Sequence, residues 1–97
     1  MIFYPTTRRK SVRREFHAPV EYEIEGAPTD TVFKGHTLNI SDSGLCLCLY
    51  HRVDKRQELT IKSSRLPFAC KKAVVRWVRR IDRSTYMAGV ACMDCTR

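Results

Sequence analysis

No run of 18 or more apolar residues occurs in this 97-residue chain, which excludes a membrane-spanning helix. No window holds a sustained 3.6-residue apolar period with caps, so no long amphipathic helix is expected. Glycine is sparse, at four residues, and there is neither an internal repeat nor a low-complexity tract. Acidic residues are missing altogether from residues 1–14. The three histidines, His17, His36 and His51, form no HxxxH or HExxH pattern. Ser41, His36 and Asp42 contain the residue types of a nucleophilic triad, but nothing in their order sets nucleophile–base geometry, so no catalytic constellation and no enzyme is expected. Cys92-Met93-Asp94-Cys95 is a CxxC without a second metal-binding pair, because Cys46-x-Cys48 has the wrong spacing for zinc. The βαβ context of a redox CxxC is missing as well. The cysteines, five in all, are therefore expected to be free thiols, as an odd count in a reducing compartment implies. In the first ten residues the charge follows the apolar part, the reverse of a secretory signal. Both features predict a cytoplasmic protein with no metal and no cofactor.

What is present fits one small domain. A hydrophobic content of 43% excludes a disordered polar chain, and the length allows a single core. The net charge of +8 points to an anionic partner: nucleic acid, a nucleotide or an acidic membrane surface. That charge is unevenly spread. Arg8, Arg9, Lys10, Arg13 and Arg14 make the N-terminus basic, residues 15–43 carry six acids against Lys34 alone, and residues 71–83 are basic again.

The periodicity is that of strands. Val20, Tyr22 and Ile24 alternate with Glu21, Glu23 and Glu25, the signature of a half-buried strand. Further strands are predicted over 31–40, 45–50, 58–62, 68–81 and 86–93, with a possible helical turn over 52–57. Turns fall at 26–30, 41–44, 63–65 and 82–84. Six short strands without a long helix predict an all-β fold, a six-stranded antiparallel barrel over residues 15–97 preceded by a basic arm over 1–14.

Two motifs carry chemistry. Arg9 and Arg13, four residues apart, each offer a planar donor fork that suits a phosphate or the O6/N7 edge of guanine. Alone, such a run is ordinarily a solvated basic tail. Asn39-Ile40-Ser41-Asp42-Ser43-Gly44 is a polar turn between apolar strands. Its Asn39 and Ser41 supply donors and acceptors, and Gly44 permits a positive φ and the close approach of a ligand. Alone, this is an ordinary hairpin. Trp77, among Arg76, Arg79 and Arg80, is by its type more often a core residue. Arg79 shares its face at i, i+2.

Together, an RxxxR, about two dozen residues of strand and then [DN]xSxxG resemble the PilZ domain family over roughly residues 8–94. Ala18-Pro19-Val20-Glu21-Tyr22, Ala73-Val74-Val75-Arg76-Trp77-Val78 and Tyr86-Met87-Ala88-Gly89-Val90 are similar to its first and closing strands. The resemblance implies a six-stranded barrel that binds the bacterial second messenger cyclic di-GMP. Carried over to this chain, it implies that Arg9 and Arg13 grip phosphates and guanine edges, with Arg8 adding a phosphate contact. Asn39, Ser41 and Gly44 would meet a guanine, and Trp77 and Arg79 are weaker candidates. A helix that members often carry after the barrel is not expected within these residues. The implied function is a receptor or adaptor that changes conformation on binding and signals to an effector protein, with the arm mobile until ligand orders it. A small basic barrel binding RNA or single-stranded DNA is the alternative. The acidic zone over 15–43 weighs against it, since a long polyanion would be repelled where a compact ligand needs one basic corner. A barrel that has lost its ligand and serves only as an interaction module is a third reading, which the intact motifs oppose.

Overall fold

A computed structural model describes residues 14–28, 30–41, 43–62 and 70–93. They form seven strands and no helix: β1 (Arg14–Glu15), β2 (Pro19–Ile24), β3 (Phe33–Ile40), β4 (Gly44–Leu49), β5 (Glu58–Ile61), β6 (Lys72–Asp82) and β7 (Thr85–Cys92). All pairings are antiparallel. The order β3-β2-β5-β6-β7-β4 closes on itself through β3–β4, which makes the six-stranded barrel expected from the sequence, and β1 is added outside it on β3. No helix of the described residues is long and apolar enough to cross a membrane. Residues 55–56, inside the anticipated helical turn, form a plain turn, with Arg56 at φ 77°.

The alternation read from β2 is realised in full: Val20, Tyr22 and Ile24 are buried while Glu21 faces solvent. They meet Leu45, Leu47 and Leu49 of β4, Leu59 and Ile61 of β5, Ala73 and Val75 of β6 and Ala88 and Val90 of β7. Burying such a side chain contributes roughly 1.5–3 kcal/mol, so the barrel interior supplies the main stabilisation. Tyr22 stacks on Phe33 with ring centroids 5.6 Å apart, but its buried hydroxyl has no hydrogen-bond partner among the described residues.

The cysteines depart from expectation. Cys70 and Cys92 form a disulfide, while Cys46 and Cys48 keep their thiols. Barrel closure is the reason. Ala73 of β6 lies opposite Cys92 of β7, so the residues leading into β6 run beside the end of β7, with the two Cα atoms 5.6 Å apart. That is within bridging range, although 22 residues separate the pair in sequence. The cysteine content therefore does not argue for a reducing compartment as the sequence reading supposed. Cys95, the other half of the CxxC, lies outside the described residues.

Candidate functional site

Two β-bulges set the site. In β3, Gly35 and Thr37 point inward, and simple alternation would send Asn39 inward after them. The register instead shifts between Thr37 and Asn39, so that Ile40 is buried and Asn39 lies on the outer face. In β6 the inward set is Ala73 and Val75, and alternation would bury Trp77 next. A second shift between Val75 and Trp77 turns Arg76 and Trp77 both outward and returns Val78 to the interior side. The two bulges lie in one row across the sheet: Glu15 is opposite Asn39, Asn39 opposite Cys46, Cys46 opposite Gly89, and Gly89 opposite Trp77. Bulges commonly re-aim side chains in this way. Trp77 is thus 37% exposed rather than a core residue, contrary to the ordinary expectation for its type.

Gly89 provides the seat for that indole. A Cβ at this position would overlap Nε1 and Cε2 of Trp77, so the ring lies directly over the β7 backbone. Gly44 is required for a comparable reason and not for the one expected. Its backbone lacks a positive φ; a Cβ there would stand 2.5 Å from the Val90 carbonyl oxygen. The close approach is that of β4 to β7.

The β3–β4 hairpin is fixed by its own backbone. The Ser41 amide donates to the Gly44 carbonyl at 3.0 Å, and the Ser43 amide donates to Ser41 Oγ at 3.4 Å. The Cys92 amide donates to the Ser43 carbonyl at 2.9 Å, tying the hairpin to the end of β7. Ser41 is buried, so its hydroxyl serves the turn. Ser41, Ser43, Gly44, Arg76, Trp77 and Gly89 line a shallow hollow of about 240 Å³, together with Val90 and Ala91. It combines backbone donors and acceptors, one guanidinium and one indole face, a set that suits a planar, anionic, hydrogen-bonding ligand.

The first described strand, β1, lies at the same corner. In β1, Arg14 lies opposite Ile40 and Glu15 opposite Asn39, so the chain leaves the barrel beside the hairpin. A buried threonine fixes this exit. Thr37 Oγ1 accepts from the Ala18 amide at 2.9 Å and donates to the Phe16 carbonyl; the Phe16 amide in turn donates to the Leu38 carbonyl at 3.2 Å.

Arg8, Arg9 and Arg13 lie outside the described residues. Of the other candidates, Ser41, Gly44 and Trp77 share the hollow, whereas Asn39 lies in the same row across the sheet but is not part of the lining. Arg79 is exposed opposite Met87, two register positions from Trp77, and is not part of the lining. Sequence reasoning missed Arg76, Ser43 and Gly89 as site residues. No local signal marked them, because Trp77 continues the Ala73/Val75 alternation in sequence and the bulge that turns it outward is set by the β6–β7 register. Among the described residues no group of three or more His, Cys, Asp or Glu could hold a metal ion.

Comparison with curated proteins finds no match. A family model described as PilZ domain matches residues 7–97, a span that includes the arginine motif, the hairpin motif and every strand of the barrel. Motif, barrel and match agree, and the chain belongs to the PilZ domain family.

Proposed function

We propose that this protein is a cyclic di-GMP receptor acting as a non-catalytic adaptor, with the hollow between the β3–β4 hairpin and Trp77 as one wall of the ligand site and the basic arm as the other. PilZ domains as a family bind cyclic di-GMP, which gives the ligand class. The observation that supports the site assignment is the β1–β3 register, which sets Arg14 opposite Ile40 and Glu15 opposite Asn39. Arg9 and Arg13 then reach the phosphates and the guanine O6/N7 edges, where charge-assisted bidentate contacts are strongest. Arg8 adds a phosphate contact. Asn39 and the hairpin backbone at Ser41–Gly44 meet one guanine, and the Trp77 indole offers a stacking face. Arg76 supplies a further cation on the hollow's wall. Settling of the arm onto the barrel would change the surface shown to an effector protein. This order–disorder step is the switching element.

Calorimetric titration with cyclic di-GMP, GMP and a short oligonucleotide tests the reading. Cyclic di-GMP should bind, and Arg9→Ala or Arg13→Ala should each weaken it by roughly 1.5–3 kcal/mol, about tenfold to over a hundredfold. Stability should stay unchanged, and Ser41→Ala should weaken binding less. Wild-type affinity in both arginine variants would remove them from the site, and preferential oligonucleotide binding would favour a nucleic-acid barrel.

A further inference from the structure

β6 is 11 residues long, but β5 pairs only with its first part, from Lys72 to Val74. One more bonded position follows, where the Arg56 amide donates to the Val75 carbonyl at 2.7 Å and the Val75 amide donates to the Gln57 carbonyl at 2.9 Å. The chain before β5 then turns back on itself. The Gln57 amide donates to the Asp54 carbonyl at 3.1 Å, the Asp54 amide donates to Gln57 Oε1 at 2.9 Å, and Arg56 takes a left-handed φ of 77°. Among the described residues no strand lies beside residues 76–82 on the side away from β7. Where a neighbour would continue there is a cleft of about 370 Å³, lined by Val53, Val78 and Tyr86 and by Arg52, Asp54, Lys55 and Arg80, with the Asp54 carboxylate 3.4 Å from the Arg52 guanidinium.

An open strand edge is a template for pairing with another chain. Its side chains decide which chain. Residues 76–83 hold four arginines against one aspartate, and the Asp82 carboxylate is already engaged by the Ser84 amide at 3.0 Å. Such an edge repels a second copy of itself and the chain's own basic residues 8–14, and it attracts an acidic strand. Half-buried Val78 and Tyr86 and exposed Ile81 give an incoming strand apolar contacts that a phosphate backbone would not use. Seven residues of extended chain span about 23 Å, enough for a specific peptide segment.

We propose that the outer edge of β6, residues 76–82, is a docking edge for an extended acidic segment of a partner protein, which adds to the sheet as a further strand over the Val53–Val78–Tyr86 cleft. Main-chain pairing gives the affinity, and the arginines give the choice of partner. The inference does not depend on the nucleotide site.

The test is an amide-shift titration of the isotopically labelled protein, without cyclic di-GMP. The probes are an eight-residue peptide alternating valine with aspartate or glutamate, the same peptide N-methylated on the backbone nitrogens of one edge and then of the other, its lysine counterpart, and an oligothymidine of ten nucleotides. The acidic peptide should shift the amides of residues 76–82, bind less well as salt rises, and lose on the order of tenfold in affinity with Arg80→Glu. Methylation of the pairing edge should abolish the shifts, and the lysine peptide should give none. No shift with the acidic peptide overturns the proposal. Equal binding of both methylated forms reduces the effect to charge adsorption and overturns it too. Tighter binding of oligothymidine at the same residues would make the edge a nucleic-acid surface instead.

Discussion

Replacing Thr37 by valine keeps the volume and the methyl group while deleting one hydroxyl. In this barrel that hydroxyl serves two backbone groups of the segment between β1 and β2: it accepts from the Ala18 amide at 2.9 Å and donates to the Phe16 carbonyl. Thr37 is fully buried and Ala18 nearly so, at 9% exposure, so water cannot replace the lost acceptor at the Ala18 amide. Phe16 is only half-buried, and its carbonyl can find water. The cost is therefore that of one orphaned buried donor, about 1–3 kcal/mol, centred near 2. For a domain of this size each kcal/mol lowers Tm by about 4–8 °C, so Thr37→Val should melt about 8–16 °C lower. Thr37→Ser, which keeps the hydroxyl and loses a methyl, should fall between the two. The functional consequence follows from place. Opening this clamp frees the Phe16 bond to Leu38 and then the Arg14–Ile40 register that roots the arm. Cyclic di-GMP affinity should drop by the fraction of molecules whose arm root is detached. Scanning calorimetry and amide exchange at Ala18 give the readouts. A Tm within 2 °C of wild type, with Ala18 still protected, would refute the reasoning that this hydroxyl holds the N-terminal segment to the barrel.

Gly89→Ala should push the Trp77 indole off its seat, costing about 1–3 kcal/mol for overpacking and shifting tryptophan emission to longer wavelength; unchanged emission would show that the ring does not lie on β7. The Tyr22 phenol, raised by burial to about 12, keeps its proton in the folded state where an unfolded tyrosine has begun to ionise. Its contribution is complete below pH 10 and fades as pH rises from 10 through about 12, so denaturant unfolding should show an alkaline loss of stability that Tyr22→Phe removes. Because the hydroxyl has no partner among the described residues, Tyr22→Phe should also be neutral or stabilising by up to about 1 kcal/mol at pH 8, and a clear destabilisation would reveal a partner. Reduction of Cys70–Cys92, or Cys92→Ser, should cost roughly 3 kcal/mol by releasing a 22-residue loop and leave a folded barrel; equal melting with and without reductant would contradict this.

The six strands of the barrel were legible because their cause is local. Val20, Tyr22 and Ile24 on one face and glutamates on the other give a pattern that only a half-buried strand satisfies, and Leu45, Leu47 and Leu49 extend the same logic to a strand at the barrel's heart. The hairpin motif was legible too, as polar residues between apolar runs, although the reason for Gly44 was misjudged: the constraint comes from the Val90 carbonyl of another strand. Period-2 counting failed at the two bulges. One shift in β3 and one after Val75 in β6 invert the side chains that follow them, and nothing local announces it, because the shift is fixed by how those strands register against β4 and β7.

The sequence by itself determined that this chain is a small, basic, all-β domain with an arginine pair and a polar hairpin, since composition and alternation act residue by residue. Only the tertiary structure decided that Asn39 and Trp77 share one outer row, that Gly89 seats the indole, that Cys70 meets Cys92, and that the second half of β6 has one strand beside it, not two, among the described residues. Each of these depends on which strands become neighbours when the barrel closes. That choice is made by burying the whole core at once, with long-range pairings that no window of sequence contains.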